Sequence, residues 1–166
     1  MAFEIKRMGI VDYFEAWELQ KRLVQDRIEG KIPDTLILLQ HNHVYTLGRR
    51  GGRANILVPD SFLDSKGIKV YEVERGGDVT YHGPGQVVGY PIMDLKERGR
   101  DIRRFYMNLS KVFISLLDNE FGISANMGEK YPGIWVDNNK IVAVGMAVKK
   151  WVTYHGFAFN VNTEME

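Results

Sequence analysis

Arg75, Asp78, Thr80 and His82 share an eight-residue stretch with Gly76 and Gly77, and Gly83-Pro84-Gly85 follows at once. From Arg75 to Pro91, five glycines and two prolines fall in seventeen positions, a density that no helix tolerates. Glycine lets backbone approach a ligand closely, and polar side chains of these types then converge on it. The stretch reads as a strand end, a tight polar turn and a new strand lining the main pocket; the alternative is a decorated hairpin loop. It is neither of the familiar phosphate loops. No Gly-x-x-x-x-Gly-Lys-Ser/Thr string occurs, and Gly83-Pro84-Gly85 is followed by Gly89, one residue too late for a dinucleotide fingerprint.

Lys140 is the second candidate. It follows the turn Asp137-Asn138-Asn139 and starts an apolar run. Spacing alone makes it a solvated turn lysine. Beside an apolar pocket its pKa would fall, and it would become a proton acceptor. Gly145, Gly156 and their neighbours offer backbone N–H groups to an oxyanion. His82 and His155 read equally as orienting groups or as structural hydrogen-bond partners. His41 and His43 would share one face of a strand, but no third ligand is evident, so no metal site is assigned. Gly48-Arg-Arg-Gly-Gly-Arg53 is a basic loop, read either as a solvated turn or as a dock for an acidic carrier.

These residues need a frame. Asp12 and Glu15 make a capping box for a helix to about Ile28, with Ala16, Trp17, Val24 and Ile28 on its stripe and Gly30 as the stop. Thr35–Gln40 is a buried strand that Val44–Leu47 continues after a bend. Ile68–Val73 alternates as a strand, with Gln86–Leu95 as its neighbour. Asp101 caps a second helix to Phe121, with Phe105, Leu109, Val112, Phe113, Leu116 and Leu117 on the apolar face and Gly122 after it. Gly133–Val136 and Lys140–Val144 form a hairpin, and Trp151–Val161 is the last strand. The pattern is α+β.

The chain has 166 residues, 45% hydrophobic and 26% charged, with a net charge of +1. That length is one domain by the usual prior, here 1–166, with no global pull toward nucleic acid or membrane. With no cysteine, a disulfide framework is excluded and a reducing compartment fits. No signal peptide or spanning run is visible.

The segment Arg75-Gly-Gly-Asp-Val-Thr-Tyr-His82-Gly-Pro-Gly-Gln86 resembles the signature of the octanoyltransferases of lipoic acid synthesis. Pro132-Gly-Ile-Trp-Val136 with Lys140-Ile141 and Gly145 looks like that family's lysine block. His155-Gly-Phe-Ala-Phe-Asn-Val-Asn162 looks like its next string. Three motifs in register, from about Thr35 to the last residue, are a strong signal. The resemblance implies a mixed, largely antiparallel sheet with packed helices, as in biotin and lipoate protein ligases. It implies transfer of an octanoyl group from octanoyl-acyl carrier protein to a lysine of lipoyl domains, those of 2-oxoacid dehydrogenases and the glycine cleavage H protein. It implies a cytoplasmic enzyme without cofactor, acting through a Cys thioester with Lys140 as general base. Substrate-binding positions carried over are Arg75, Gly76, Gly77, Asp78, Val79, Thr80, Tyr81, His82, Ala143, Val144, Gly145, Gly156, Phe157 and Ala158. An octanoyl tunnel lined by Gly76, Gly77, Gly145 and Gly156 should end near Lys140, and Gly77→Val should block it without harming the fold. The family's Cys lies in a Pro-Cys-Gly string shortly after the His-Gly block, expected beyond Glu166. Without a Cys, the alternatives are an ATP-dependent lipoate or biotin ligase, or an inactive fragment or binding module. Such ligases tend to carry Arg-Arg-x-Ser-Gly-Gly-Gly and then His-Asp, where this chain has Arg75-Gly-Gly and His82-Gly83.

Overall fold

The computed structural model describes residues 2–129 and 131–164. Ten strands and three α-helices are used below: β1 (Phe3–Ile10), α1 (Tyr13–Ile28), β2 (Asp34–Gln40), β3 (Val44–Leu47), α2 (Asp60–Ser65), β4 (Lys69–Glu72), β5 (Val79–His82), β6 (Gln86–Ile92), α3 (Ile102–Phe121), β7 (Asn126–Met127), β8 (Ile134–Val136), β9 (Asn139–Lys149) and β10 (Val152–Asn160). Seven strands form one sheet in the order β1-β2-β6-β10-β9-β8-β7; three form a second in the order β4-β3-β5. Only the β1–β2 and β3–β4 pairs are parallel. The α+β class with a mixed, largely antiparallel sheet is therefore the observed one.

Helix α1 starts where Asp12 accepts the backbone N–H groups of Phe14 and Glu15, which would otherwise be orphaned. Its Ala16, Leu23 and Val24 pack on Ile37, Leu39, Val88 and Ala158 of the large sheet. Asp101 caps α3 through the Arg104 N–H, and Gly122 ends it in the left-handed conformation. Phe113 and Leu117 of α3 cover the opposite face, against Ile134, Val142 and Phe157. Each such large side chain gains roughly 2 kcal/mol on burial. The small sheet shares the α1 side: Tyr13 and Trp17 pack against Val44, Tyr71 and Val73. No helix among the described residues is long and apolar enough to cross a membrane.

Four expectations are corrected. Residues 3–10 form a strand that the sequence reading lacked; β1 is an exposed edge whose apolar residues Phe3, Ile5 and Ile10 remain half open. Val44–Leu47 does not extend β2 but turns into the second sheet, because the bend at His41–His43 carries the chain over α1's end. Gln86–Ile92 is the neighbour of β2 and β10, not of Lys69–Glu72. On α3, Val112 and Leu116 face outward, since the sheet side is met by Leu109, Phe113, Ile114 and Leu117.

Candidate active site

The glycine-rich stretch joins the two sheets. Arg75 is buried, and its guanidinium holds the loop's own frame. Nε donates to Thr46 Oγ1 (3.1 Å), Nη1 to the Gly76 carbonyl (3.0 Å), and Nη2 to the carbonyls of Thr46 (2.6 Å) and Asp78 (2.8 Å). The Gly76 N–H then donates to the Met146 carbonyl at 2.9 Å, tying the loop to β9. Backbone N–H groups of Arg49 and Arg50 donate to the carbonyls of Arg75 and Gly77, both at 3.0 Å, so the basic loop braces the glycine loop from outside. Arg53 pairs with Asp60, while Arg49 and Arg50 are exposed.

Under this lid lies a cavity of about 20 Å³. It gathers Arg75, Thr80, His82, Ala143, Gly145, Gly156, Phe157 and Ala158 of the expected residues, and adds Tyr13, Tyr90 and His155. Its floor is two cross-strand pairs of the smallest residues, Ala143 with Ala158 and Gly145 with Gly156. A Cβ on Gly145 would come within 2.8 Å of the Gly76 carbonyl oxygen, so the loop lies this close only over glycine. Gly76, Gly77, Asp78, Val79, Tyr81 and Val144 lie outside the lining. Asp78 accepts from Asn55 Nδ2 at 2.8 Å, Tyr81 bonds His43 Nδ1 at 2.6 Å, and Val144 packs toward α3. Gly77 sits at φ +94°, so Gly77→Val would strain the loop itself rather than plug a channel. A much larger concavity, about 600 Å³, lies elsewhere. It is an apolar groove between α3 and the sheet, lined by residues such as Leu36, Met93, Leu109 and Phe157; it shares Phe157 with the small cavity but includes no residue of Arg75–His82.

Lys140 adjoins a bulge in β9. Strand β8 pairs Ile134 with Val142 but Trp135 with Lys140, leaving Ile141 as the extra residue. Ile141, Val142 and Val144 all pack toward α3. The extra residue turns Lys140 to the side of Ala143, where its Nζ stands 5.0 Å from the Trp135 ring centre. Burial lowers the Lys140 pKa below the ordinary lysine value. It is not itself among the lining residues, but continues their line along β9.

The histidines are mostly interior. His82 Nδ1 donates to Gln86 Oε1 (2.7 Å), Gln86 Nε2 donates to Asn160 Oδ1 (3.0 Å), and Asn160 Nδ2 to the Lys140 carbonyl (3.4 Å). Burial, helped by the nearby His41, pushes His82 down to about 3, so it is neutral at pH 7 with Nε2 as an acceptor. His41 and His43 do not share a face: they lie in the bend between β2 and β3, His41 buried and His43 exposed. His41 donates from Nδ1 to the Val11 carbonyl and accepts at Nε2 from Tyr90 Oη, both at 2.7 Å. His155 has a left-handed φ of 54°, and its backbone N–H donates to Gln20 Oε1 at 2.8 Å. Its Nε2 faces Glu74 Oε2 at 3.3 Å, an oxygen that also accepts from Trp17 Nε1 at 3.1 Å. Tyr13, Tyr90, Gln20 and Glu74 were absent from the sequence reading. Burial of Gln20 at an inward helical position was the one visible signal.

As it stands the cavity has room for little more than one water, and Lys140 is solvent-exposed further along β9. The lipoyl protein ligase A/B catalytic domain model matches residues 12–166. An octanoyltransferase of Caldicellulosiruptor bescii is 58% identical over 100% of this chain and 73% of its own length. That of Desulforamulus reducens is 47% identical over 99% of this chain and 72% of its own. A Thermoplasma acidophilum protein described as a lipoate protein ligase, solved with bound lipoic acid, superposes with a TM-score of 0.76 at 17% identity. It covers 99% of this chain and 70% of that one, and shows the fold. Matched along almost its whole length by both the domain model and its close relatives, the chain belongs to the lipoyl protein ligase A/B catalytic-domain family, among the octanoyltransferases.

Proposed function

We propose that residues 1–166 form one catalytic domain that moves an octanoyl group from octanoyl-acyl carrier protein to a lysine of lipoyl domains, including the glycine cleavage H protein. The carrying observation is the 58% identity with an octanoyltransferase over the whole of these residues, and the bulge at Ile141, whose parity puts Lys140 on the Ala143 side of β9, is consistent with it. The nucleophile in this reading is the family's Cys beyond Glu166. Lys140, made less basic by burial, takes the thiol proton. The thiolate attacks the octanoyl thioester, the C–S bond to the carrier breaks, and the carrier thiolate takes the proton back from Lys140. The acceptor lysine, as the free amine, then attacks the acyl-Cys. A C–N bond forms, the Cys leaves as thiolate, and the amine's surplus proton passes through Lys140 to that sulfur. Neither cofactor nor ATP enters. Exposed Arg49 and Arg50 suit an acidic carrier protein, and a cytoplasmic setting keeps the thiol reduced.

The test is intact-mass spectrometry of the full-length gene product mixed with octanoyl-carrier protein. A gain of one octanoyl mass on Cys, without ATP, is the expected result, and the 166-residue chain should gain none. The absence of Cys from these residues favours an ATP-dependent ligase as the second reading. An ATP requirement for lipoyl-domain modification would establish that reading instead.

A further inference from the structure

Lys140 lies in a seat of its own on the outer strands of the large sheet. Its cross-strand partner in β8 is Trp135, and its Nζ stands 5.0 Å from the centre of that ring, within reach of a cation–π contact. Its stem crosses Gly133. A Cβ there would lie 3.1 and 3.3 Å from Lys140 Cδ and Cε and 2.6 Å from the Val142 carbonyl oxygen, and the φ of +136° suits glycine. The Gly133 N–H donates to Tyr106 Oη of α3 at 3.0 Å, so the helix fixes the track on which the stem lies.

The indole is fixed as firmly as the stem. Its Nε1 donates to the Tyr131 carbonyl at 3.2 Å, and its edge lies against Gly128, where any Cβ would strike Nε1. A ring so held keeps its face toward the amine. Among the described residues no carboxylate pairs with Lys140. Lys21, by contrast, stands 3.7 Å over Trp17 but also pairs with Glu18 at 2.8 Å, one turn away on its own helix. Hairpin stability asks only for a cross-strand contact. It does not ask for a glycine under the lysine stem or for a lysine left with the ring alone.

We propose that Trp135 is the positioning residue of Lys140: its ring holds the amine in place and favours the ammonium that forms when Lys140 takes the thiol proton. The inference rests on the Cys–Lys140 reading above. In that step the S–H bond breaks, its electron pair stays on sulfur as thiolate, and a new N–H bond forms at Nζ. The ring face is electron-rich, so it attracts the ammonium more strongly than the free amine. An ammonium held at one point lowers the thiol pKa, and one that swings among rotamers does so less. Loss of the ring therefore raises the pH at which thiolate appears.

The test uses the full-length gene product, with Trp135→Leu, Trp135→Met, Trp135→Phe and Lys140→Ala beside wild type. Iodoacetamide alkylation of the Cys beyond Glu166, followed against pH by mass spectrometry, reports the thiolate. Initial rates of octanoyl transfer give kcat and KM. Trp135→Leu and Trp135→Met should each raise the thiolate midpoint by about half a pH unit. Each should lower kcat roughly tenfold, with KM for the octanoyl-carrier protein unchanged. Trp135→Phe keeps a ring but loses the Nε1 bond, and should stay near wild type. Losses in Trp135→Phe as large as in Trp135→Leu assign the indole to the hairpin through Nε1 and overturn the proposal. An unmoved midpoint in the folded aliphatic variants, while Lys140→Ala raises it, overturns the seat and leaves Lys140 as the base. Failure of both aliphatic variants to fold assigns Trp135 to the fold and also overturns the proposal. If Lys140→Ala leaves midpoint and kcat unaltered, the Cys–Lys140 reading itself falls, and the seat with it.

Discussion

Lys140 stands 5.0 Å from the Trp135 ring centre, and partial desolvation there lowers its pKa although the residue is exposed. Its neutral fraction rises below the ordinary lysine range. The acylation rate of the full-length protein should therefore climb with pH to a plateau whose midpoint lies under 10.5. Lys140→Ala should slow acylation by roughly 10²- to 10⁴-fold, the scale of a lost general base. Lys140→Arg should recover little, because a guanidinium keeps its proton. Neither should move the thermal midpoint much, since the amine makes no ion pair among the described residues. Rapid-quench acylation with calorimetry separates the two effects. Loss of stability that parallels loss of rate would count against the role.

At the scale of elements, the bulge beside Lys140 is directly testable. Deleting Ile141 should remove the bulge and place Lys140 next to Val142 in a regular strand, still on the Ala143 side. Acylation should then persist with circular dichroism unchanged; a loss as deep as that of Lys140→Ala would show that the bulge does more than set the face of Lys140. A second device sits at the start of β2. Asp34 is buried and accepts from Arg27 Nε (2.8 Å), Arg98 Nη2 (2.6 Å) and the Asp94 N–H (2.9 Å). Burial would raise its pKa, but these bonds outweigh that and lower it. Its stabilisation is present above the ordinary value of 3.8 and fades as pH falls through the folded value. Asp34→Ala should cost about 2 kcal/mol in urea unfolding at pH 7, from the loss of its bonds to Arg27, Arg98 and the Asp94 N–H. The helices were legible because caps are local: Asp12, Asp101 and Gly122 announce α1 and α3. So was the strand of Thr35–Gln40, a run of apolar residues. The partners of Lys69–Glu72 were not, because alternation fixes a face and not a neighbour. The bulge was hidden too, since one extra residue changes parity without changing composition. His155's backbone conformation leaves no mark in sequence at all, whereas the glycine floor was visible as Gly145 and Gly156.

For the molecule as a whole, the buried imidazoles set the response to acid. Burial holds His82 near 3 and His155 near 4, and it lowers His41 as well. Unfolded chains protonate all three near 6.5, so the unfolded state binds more protons between that value and about 3 to 4. Stability should therefore decline steadily as pH drops from 6.5, by a few kcal/mol in total. His82→Asn should flatten that decline in a pH series of thermal midpoints, and an unaltered slope would show that His82 is not its source. The 20 Å³ cavity carries the other global consequence. An octanoyl chain is several times that volume, so the small sheet and its glycine loop must part from β9 before acyl groups enter. The receptive shape is then a minor member of the resting ensemble. Observed affinity is weakened by the fraction of molecules that are open, and association saturates at the opening rate rather than at diffusion. Hydrogen exchange at the Gly76 amide, now bonded to Met146, should report that opening and slow sharply once a fatty acid holds the sheets apart in one fixed arrangement.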